Sequence, residues 1–266
     1  MTRVSCSLPM YDLPELRPQT DALWRAIGVL LRSMGVDAPD MLSQPETLAA
    51  HWQDPELLLS QTCGYPLLSL PEHVRVVATP AYTAPGCDGA SYRSALVVHW
   101  YSAAADLQAL RGGVCAINGR DSNSGMNLLR AAVAPLAGGR QFFRTVLVTG
   151  SHAASLEAVG AGEADLAAID CVTFALLQRH RPALTAPVRV LDWSAAAPGL
   201  PLITTGDAAL VGQLRAALSQ VATDPALAPV RQALLLDRFV VLPDTAYAAV
   251  RALENDAVLA GYPVLA

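Results

Sequence analysis

DSNSGMNLLR, Asp121 to Arg130, and GSHAASLEAVGAGEADLAAIDCVTFALL, Gly150 to Leu177, are the two stretches that decide how this chain is read. Each passes from a small polar loop into a helical pattern. The residues in front of the two loops, GVCAIN (Gly113 to Asn118) and TVLVTGS (Thr145 to Ser151), are apolar β-rich runs. A helix start exposes backbone N–H groups with no acceptor inside the helix, at the positive end of the helix dipole. Ser, Asn and His in such a turn add side-chain donors, so a small anionic or polar molecule is held there without a dedicated cation.

Outward from these stretches the pattern keeps alternating. A helix is expected over Ser124 to Ala137, a strand over Thr145 to Ser151 and a helix over Ser155 to Val159; a strand over Ala164 to Asp170 and a helix over Val172 to Arg179 follow. Such alternation predicts a mostly parallel sheet covered on both faces. Upstream, Arg3 to Pro9 reads as a first strand, followed by a Pro-rich loop and an amphipathic helix from Thr20, its expected N-cap, to Met34. Pro45 to Gln53 is a short helix, Pro55 to Cys63 holds a strand, GYPLLSL starts a helical turn, and Val74 to Tyr82 is a strand ended by TAPGCDGA. Ser91 to Ser102 reads as one long β-rich run passing between lobes, and AAADLQALRGG as a helix with its Gly stop. Downstream come a strand over Val188 to Ser194, helices over Asp207 to Val221, Ala226 to Leu235 and Thr245 to Leu259, and RFVVLP between the last two. Together these predict an α/β protein of two lobes, the second inserted into the first: 1–92 with 186–266, and 93–185.

With 266 residues, 53% of them hydrophobic, the chain can bury a full core. A net charge of −5 with scattered Arg argues against nucleic acid or an anionic membrane surface as the main partner. No run is long and apolar enough for membrane insertion. All 18 basic residues are Arg, which excludes a phosphate-binding loop with its Lys, a Schiff-base Lys and a Lys general base. Cys6, Cys63, Cys87, Cys115 and Cys171 show neither metal-ligand spacing nor a CxxC, so no metal and no cofactor is expected. They read as free thiols, with a disulfide such as Cys63 to Cys87 as the alternative.

Ser122, Asn123 and Ser124 form, with Asp121, four polar positions in a row, more than one helix cap uses. His152 stands at the second helix start, as ligand contact or capping residue. Asp170 ends an apolar strand, where a carboxylate either caps the next helix or faces the crevice in which open α/β sheets bind ligands. Its charge repels a bare dianion, so a ligand with an amino group, or a neutral polar one, is expected. Trp24, Trp52, Trp100 and Trp193 read as core or hinge residues. Ser124, His152 and Asp170 do not read as a hydrolase triad, because no GxSxG elbow is present.

LRGGVCAINGRDSNSGMNLLR, VTGSHAASLEAVGAGEADLAAIDCVTFALL and, nearer the start, QTCGYPLL resemble the substrate-binding proteins of phosphonate, phosphite and phosphate ABC importers. Together with matching element order, the resemblance spans most of the chain. It implies the type 2 periplasmic-binding-protein fold, with a mostly parallel sheet flanked by helices in each lobe and the ligand in an interlobe cleft that closes about hinge strands. It also implies a non-enzymatic binder of a phosphonate-like ligand, with an importer permease as partner. In the family the SxSG loop binds phosphonate oxygens, which maps onto Ser122, Asn123 and Ser124, with Asn123 where a second hydroxyl is common. The GSH motif maps onto His152, aromatic residues of the other lobe onto Tyr11 and Tyr65, and the acid that meets a ligand amino group onto Asp170. No basic and apolar leader precedes the first strand, so the expected compartment is the periplasm if a leader was removed and the cytoplasm if the chain is complete. A cytoplasmic enzyme or a ligand sensor on the same scaffold is the alternative.

Overall fold

The computed structural model describes residues 4–266; Arg3, the first residue of the expected opening strand, lies outside them. The chain divides into two compact units: one runs from the start of the described residues to Thr83 and from Gly199 to Ala246, the other from Ala84 to Pro198 and from Tyr247 to Ala266. The boundaries differ from the expected 1–92, 93–185 and 186–266. The segment from Ala84 belongs with the second unit, and so does the C-terminal helix Ala248–Leu259, which buries Val250 and Ala257.

The first unit holds a five-stranded sheet in the order Ser5–Cys6, Leu57–Gln61, Leu202–Thr204, Arg75–Tyr82, Leu236–Val240. Only the first pair is parallel. The expected mostly parallel sheet is corrected here to a mixed one, because Leu202–Thr204, just after the chain re-enters this unit, and Leu236–Val240, after two further helices, interleave antiparallel with the earlier strands. Helix Arg17–Ser33 carries Leu23, Trp24, Ile27 and Leu31 at three- and four-residue spacing, which lays one apolar stripe onto Leu59, Val77 and the helix residues Leu214, Leu218 and Val221. Thr20 is not its N-cap. A single 3-10 turn, Pro14–Leu16, and Pro18 start the helix earlier, and the Thr20 hydroxyl instead donates back to the Leu16 carbonyl at 3.2 Å.

In the second unit the sheet order is Thr145–Val148, Val114–Ile117, Leu166–Asp170, Ser94–His99, Val188–Trp193. The first three strands are mutually parallel, and Ser94–His99 runs against both of its neighbours. This sheet too is mixed, though one reversed strand causes both antiparallel pairings. The run Ser91 to Ser102 is broken at Arg93: Ser91–Tyr92 pairs with Ala197–Pro198, while Ser94–His99 sits inside the sheet, and both belong to this unit. The expected helix in AAADLQALRGG contracts to one 3-10 turn, Gln108–Leu110, because Asp106 caps it and Gly112, at φ 80°, turns the chain away at once. No helix among the described residues is long and apolar enough to cross a membrane. All five cysteines are free thiols, and Cys87 faces Cys171 rather than Cys63.

Candidate functional site

Parallel neighbours end at the same sheet edge. In the second unit, Val114–Ile117, Thr145–Val148 and Leu166–Asp170 therefore deliver three successive turns to one place, and each turn opens a helical segment: Asn123–Asn127, His152–Gly160 and Cys171–His180. The sequence motifs sit on those three turns.

The first turn is wider than an α-helical one. Ser122, in extended conformation, accepts at its carbonyl from the N–H of Asn127 at 3.0 Å and of Met126 at 3.3 Å, and its Oγ accepts from the Gly125 N–H at 2.9 Å. The five-residue reach makes this a π-turn, a feature that often marks functional positions. Gly125 is required, since a Cβ there would fall 1.9 Å from Asn118 Oδ1. Asn123 is fully buried: its Nδ2 donates to the Tyr92 hydroxyl at 3.0 Å and its Oδ1 accepts from Asn127 Nδ2 at 2.9 Å. The Asn127 Nδ2 also donates to the Val250 carbonyl at 3.2 Å, and Arg130 donates to Asn127 Oδ1 at 2.7 Å and pairs with Glu254 at 3.5 Å. The turn is thus fastened from behind to the C-terminal helix.

Ser124 is the meeting point. Its Oγ lies 3.3 Å from Ser122 Oγ and 3.0 Å from His152 Nε2, and its carbonyl accepts from the Ser94 hydroxyl at 3.0 Å. His152 is the first residue of its helix, earlier than the expected start at Ser155. The cap is Ser151, whose Oγ accepts from the Ala154 N–H at 3.1 Å, so His152 is not the capping residue. Burial pulls the His152 ring down to about 4 against the opposing pull of the Ala168 backbone carbonyl, leaving it neutral at neutral pH. Hydroxyls, a neutral imidazole and helix-start amides make a donor set that accepts an oxyanion by hydrogen bonds rather than by ion pairing.

Asp170 is buried, and its Oδ1 accepts from the N–H groups of Val172 at 2.9 Å and Thr173 at 3.0 Å, so the carboxylate caps the third helix. It stands opposite Ser94 in the sheet, and Ser94 in turn bonds the Ser124 carbonyl, which places Asp170 one residue away from the serine cluster. The structure therefore brings Ser122, Ser124 and His152 into direct contact, with Asn123 turned inward beside them. Tyr11 and Tyr65 belong to the first unit. Tyr11 holds a left-handed φ of 62° and sets its ring edge-on to Tyr82 at 5.0 Å, while Tyr65 lies in the helical turn Gly64–Leu67. Trp24 and Trp52 are core residues as expected, whereas Trp100 is 60% exposed.

Sequence reasoning missed Tyr92, Ser94, Asn127 and Arg130. Three of them act through long-range contacts with no local signature. Arg130 was visible as a lone charge in the apolar helix LLRAAVAPLA, a pattern that calls for a buried partner. Among the described residues no cluster of three or more His, Cys, Asp or Glu is placed to hold a metal ion.

A family profile described as ABC transporter, phosphonate, periplasmic substrate-binding protein matches residues 52–247. No curated protein matches the chain. Among solved structures, a binding protein component of an ABC phosphonate transporter from Pseudomonas aeruginosa is similar, with TM-score 0.77 and 16% identity over 97% of this chain and 87% of that one. PhnD1 from Prochlorococcus marinus, in complex with methylphosphonate, superposes with TM-score 0.74 and 12% identity over 95% and 97% of the two chains. XAC2383 from Xanthomonas citri, bound to ATP, gives 0.71 and 17% over 97% of each. At these identities the structural likeness speaks for the fold.

Proposed function

This chain belongs to the family of periplasmic substrate-binding proteins of phosphonate ABC transporters, and on that premise we propose that it captures a small phosphonate-like or zwitterionic molecule at Ser122–Ser124 and His152. The observation that carries this reading is Ser124 Oγ, held between Ser122 and His152 at the start of two helices. Where His152 Nε2 carries the ring proton, it donates to Ser124 Oγ and frees the serine hydrogen for a ligand oxygen. The side chain of Asn123 is spent inside the unit, so its part is to brace the turn that carries Ser122 and Ser124.

Asp170 gives the selectivity. A carboxylate one residue from the serine cluster disfavours a bare dianion and favours a ligand that carries an amino group beside its oxyanion. Tyr11 and Tyr65, on the first unit, are proposed as aromatic contacts to the same ligand.

A Ser124–His152 pair invites a hydrolytic reading, but general-base catalysis of that kind needs a carboxylate on Nδ1 to orient the ring. Here the ring's backbone partner is the Ala168 carbonyl rather than a carboxylate, and the Asp170 Oδ1 is occupied by helix amides. We therefore read the site as one that binds and releases its ligand unchanged, in the periplasm and for delivery to a permease. Calorimetric titration with phosphate, methylphosphonate and an aminoalkylphosphonate, followed by phosphorus NMR of the recovered ligand, tests this. One-to-one binding with intact ligand is expected, tightest for the amino compound. Conversion of the ligand, or no heat and no thermal shift with any of the three, overturns it.

A further inference from the structure

We propose that Cys87 and Cys171 are a reversible disulfide-forming pair that staples the entry loop of the second unit to the start of helix Cys171–His180. The inference stands apart from the ligand reading. The two Sγ atoms lie 3.4 Å apart although 84 positions separate them in sequence. Closing to a covalent bond at about 2.05 Å needs a shift of about 1.4 Å, within reach of side-chain rotation.

The loop is built to stay there. Gly86 has φ 98°, and a Cβ on it would fall 2.6 Å from the Trp193 ring and 3.0 Å from the Cys171 Cβ, so only glycine lets the backbone press against Cys171. Accessibility then assigns the order of events. Cys87 is half-buried and Cys171 is buried, so an incoming donor meets Cys87 first.

The oxidant is a disulfide donor, either oxidised glutathione or a thiol–disulfide oxidoreductase. The Cys87 thiolate attacks one donor sulfur, the donor S–S bond breaks, and one thiol leaves with the proton that Cys87 released. Cys171 then gives up its proton and its Sγ attacks Cys87 Sγ, expelling the second donor thiol. Two protein thiols are oxidised and one donor disulfide is reduced to two thiols. In the dithiol the hydrogen bond to Cys87, burial and the Asp170 charge raise the Cys171 thiol; burial and Asp170 still act once Cys87 is in the mixed disulfide, so the second step is the slow one and quickens as pH rises.

The test is equilibration of the whole chain in glutathione redox buffer, with non-reducing peptide mapping and thermal melts. Expected are a Cys87–Cys171 linked peptide, a melting temperature raised by roughly 5–10 °C, and loss of both on adding dithiothreitol. Cys171→Ser should leave only a glutathione adduct on Cys87. Gly86→Ala keeps both thiols but displaces the loop, and should cut the yield of linked peptide severalfold. Alkylation of both cysteines after oxidation, a link from Cys87 to Cys63, or a stable glutathione adduct on the unsubstituted chain would each overturn the proposal.

Discussion

Both units contain a serine bonded to a histidine, and the two contacts differ in where the histidine stands in its helix. In the first unit Ser7 Oγ lies 2.8 Å from His51 Nε2 and 2.8 Å from Ser60 Oγ, with all three residues buried. His51 is the last residue of the short helix Leu48–His51, so this histidine does not stand at a helix start. In the second unit Ser124 and His152 lie in the first turns of two helical segments. Burial lowers both imidazoles, so charge state does not separate them. A Ser–His contact becomes a candidate binding group through the helix starts around it, and otherwise it is an internal tie between a strand and its neighbours.

The contrast is broken most sharply at Gly125. Gly125→Ala forces the turn apart from Asn118, and phosphonate affinity should fall about a hundredfold, the equivalent of about 3 kcal/mol of overpacking strain. Calorimetry reads the affinity and a urea melt confirms that the variant still folds. Next, Ser124→Ala removes a hydroxyl aimed at an anion, a loss of about 1.5–3 kcal/mol of binding with a melting temperature nearly unchanged. Ser7→Ala should do the opposite: about 1–2 kcal/mol of stability lost because His51 and Ser60 keep unmet hydrogen bonds, with affinity unchanged. Equal affinity losses for the two serine variants would erase the distinction.

The smallest effect is on pH dependence. Burial drops His152 from 6.5 to about 4 in the fold, so between those values the unfolded chain holds more protons than the folded one. Its contribution to stability is complete above pH 6.5, is lost as pH falls, and is exhausted near pH 4. His51 shifts in the same direction. Unfolding free energies from urea melts at pH 7 and pH 5.5 should therefore differ less in His152→Phe than in the unsubstituted chain, by about 1 kcal/mol, with a remainder due to His51.

Local chemistry made the central block readable. The strand, polar turn and helix of DSNSGMNLLR and GSHAASLEAVG are set by neighbours a few residues apart, and the structure keeps them with shifted ends. Sheet direction was not readable, because it depends on where Leu202–Thr204 and Leu236–Val240 insert among strands formed more than a hundred residues earlier. The same separation hid the supports of the site. Tyr92 behind Asn123, Ser94 behind Ser124 and Glu254 beside Arg130 are partners by topology alone. Thr20 shows a local limit: a hydroxyl ahead of an apolar stripe suggested a cap, yet Pro14 and Pro18 had already set the helix going.

The hydrogen bond from Asn127 to the carbonyl of Val250 also bears on the order in which the protein is made. A chain emerging from the ribosome can pair Val114–Ile117 with Thr145–Val148 and Leu166–Asp170 long before residue 250 has been synthesised. The polar turn, however, gains its rear anchor only when the last helix arrives. A nascent chain in which helix Ala248–Leu259 has yet to be made can thus hold a paired second sheet while its polar turn still waits for that anchor.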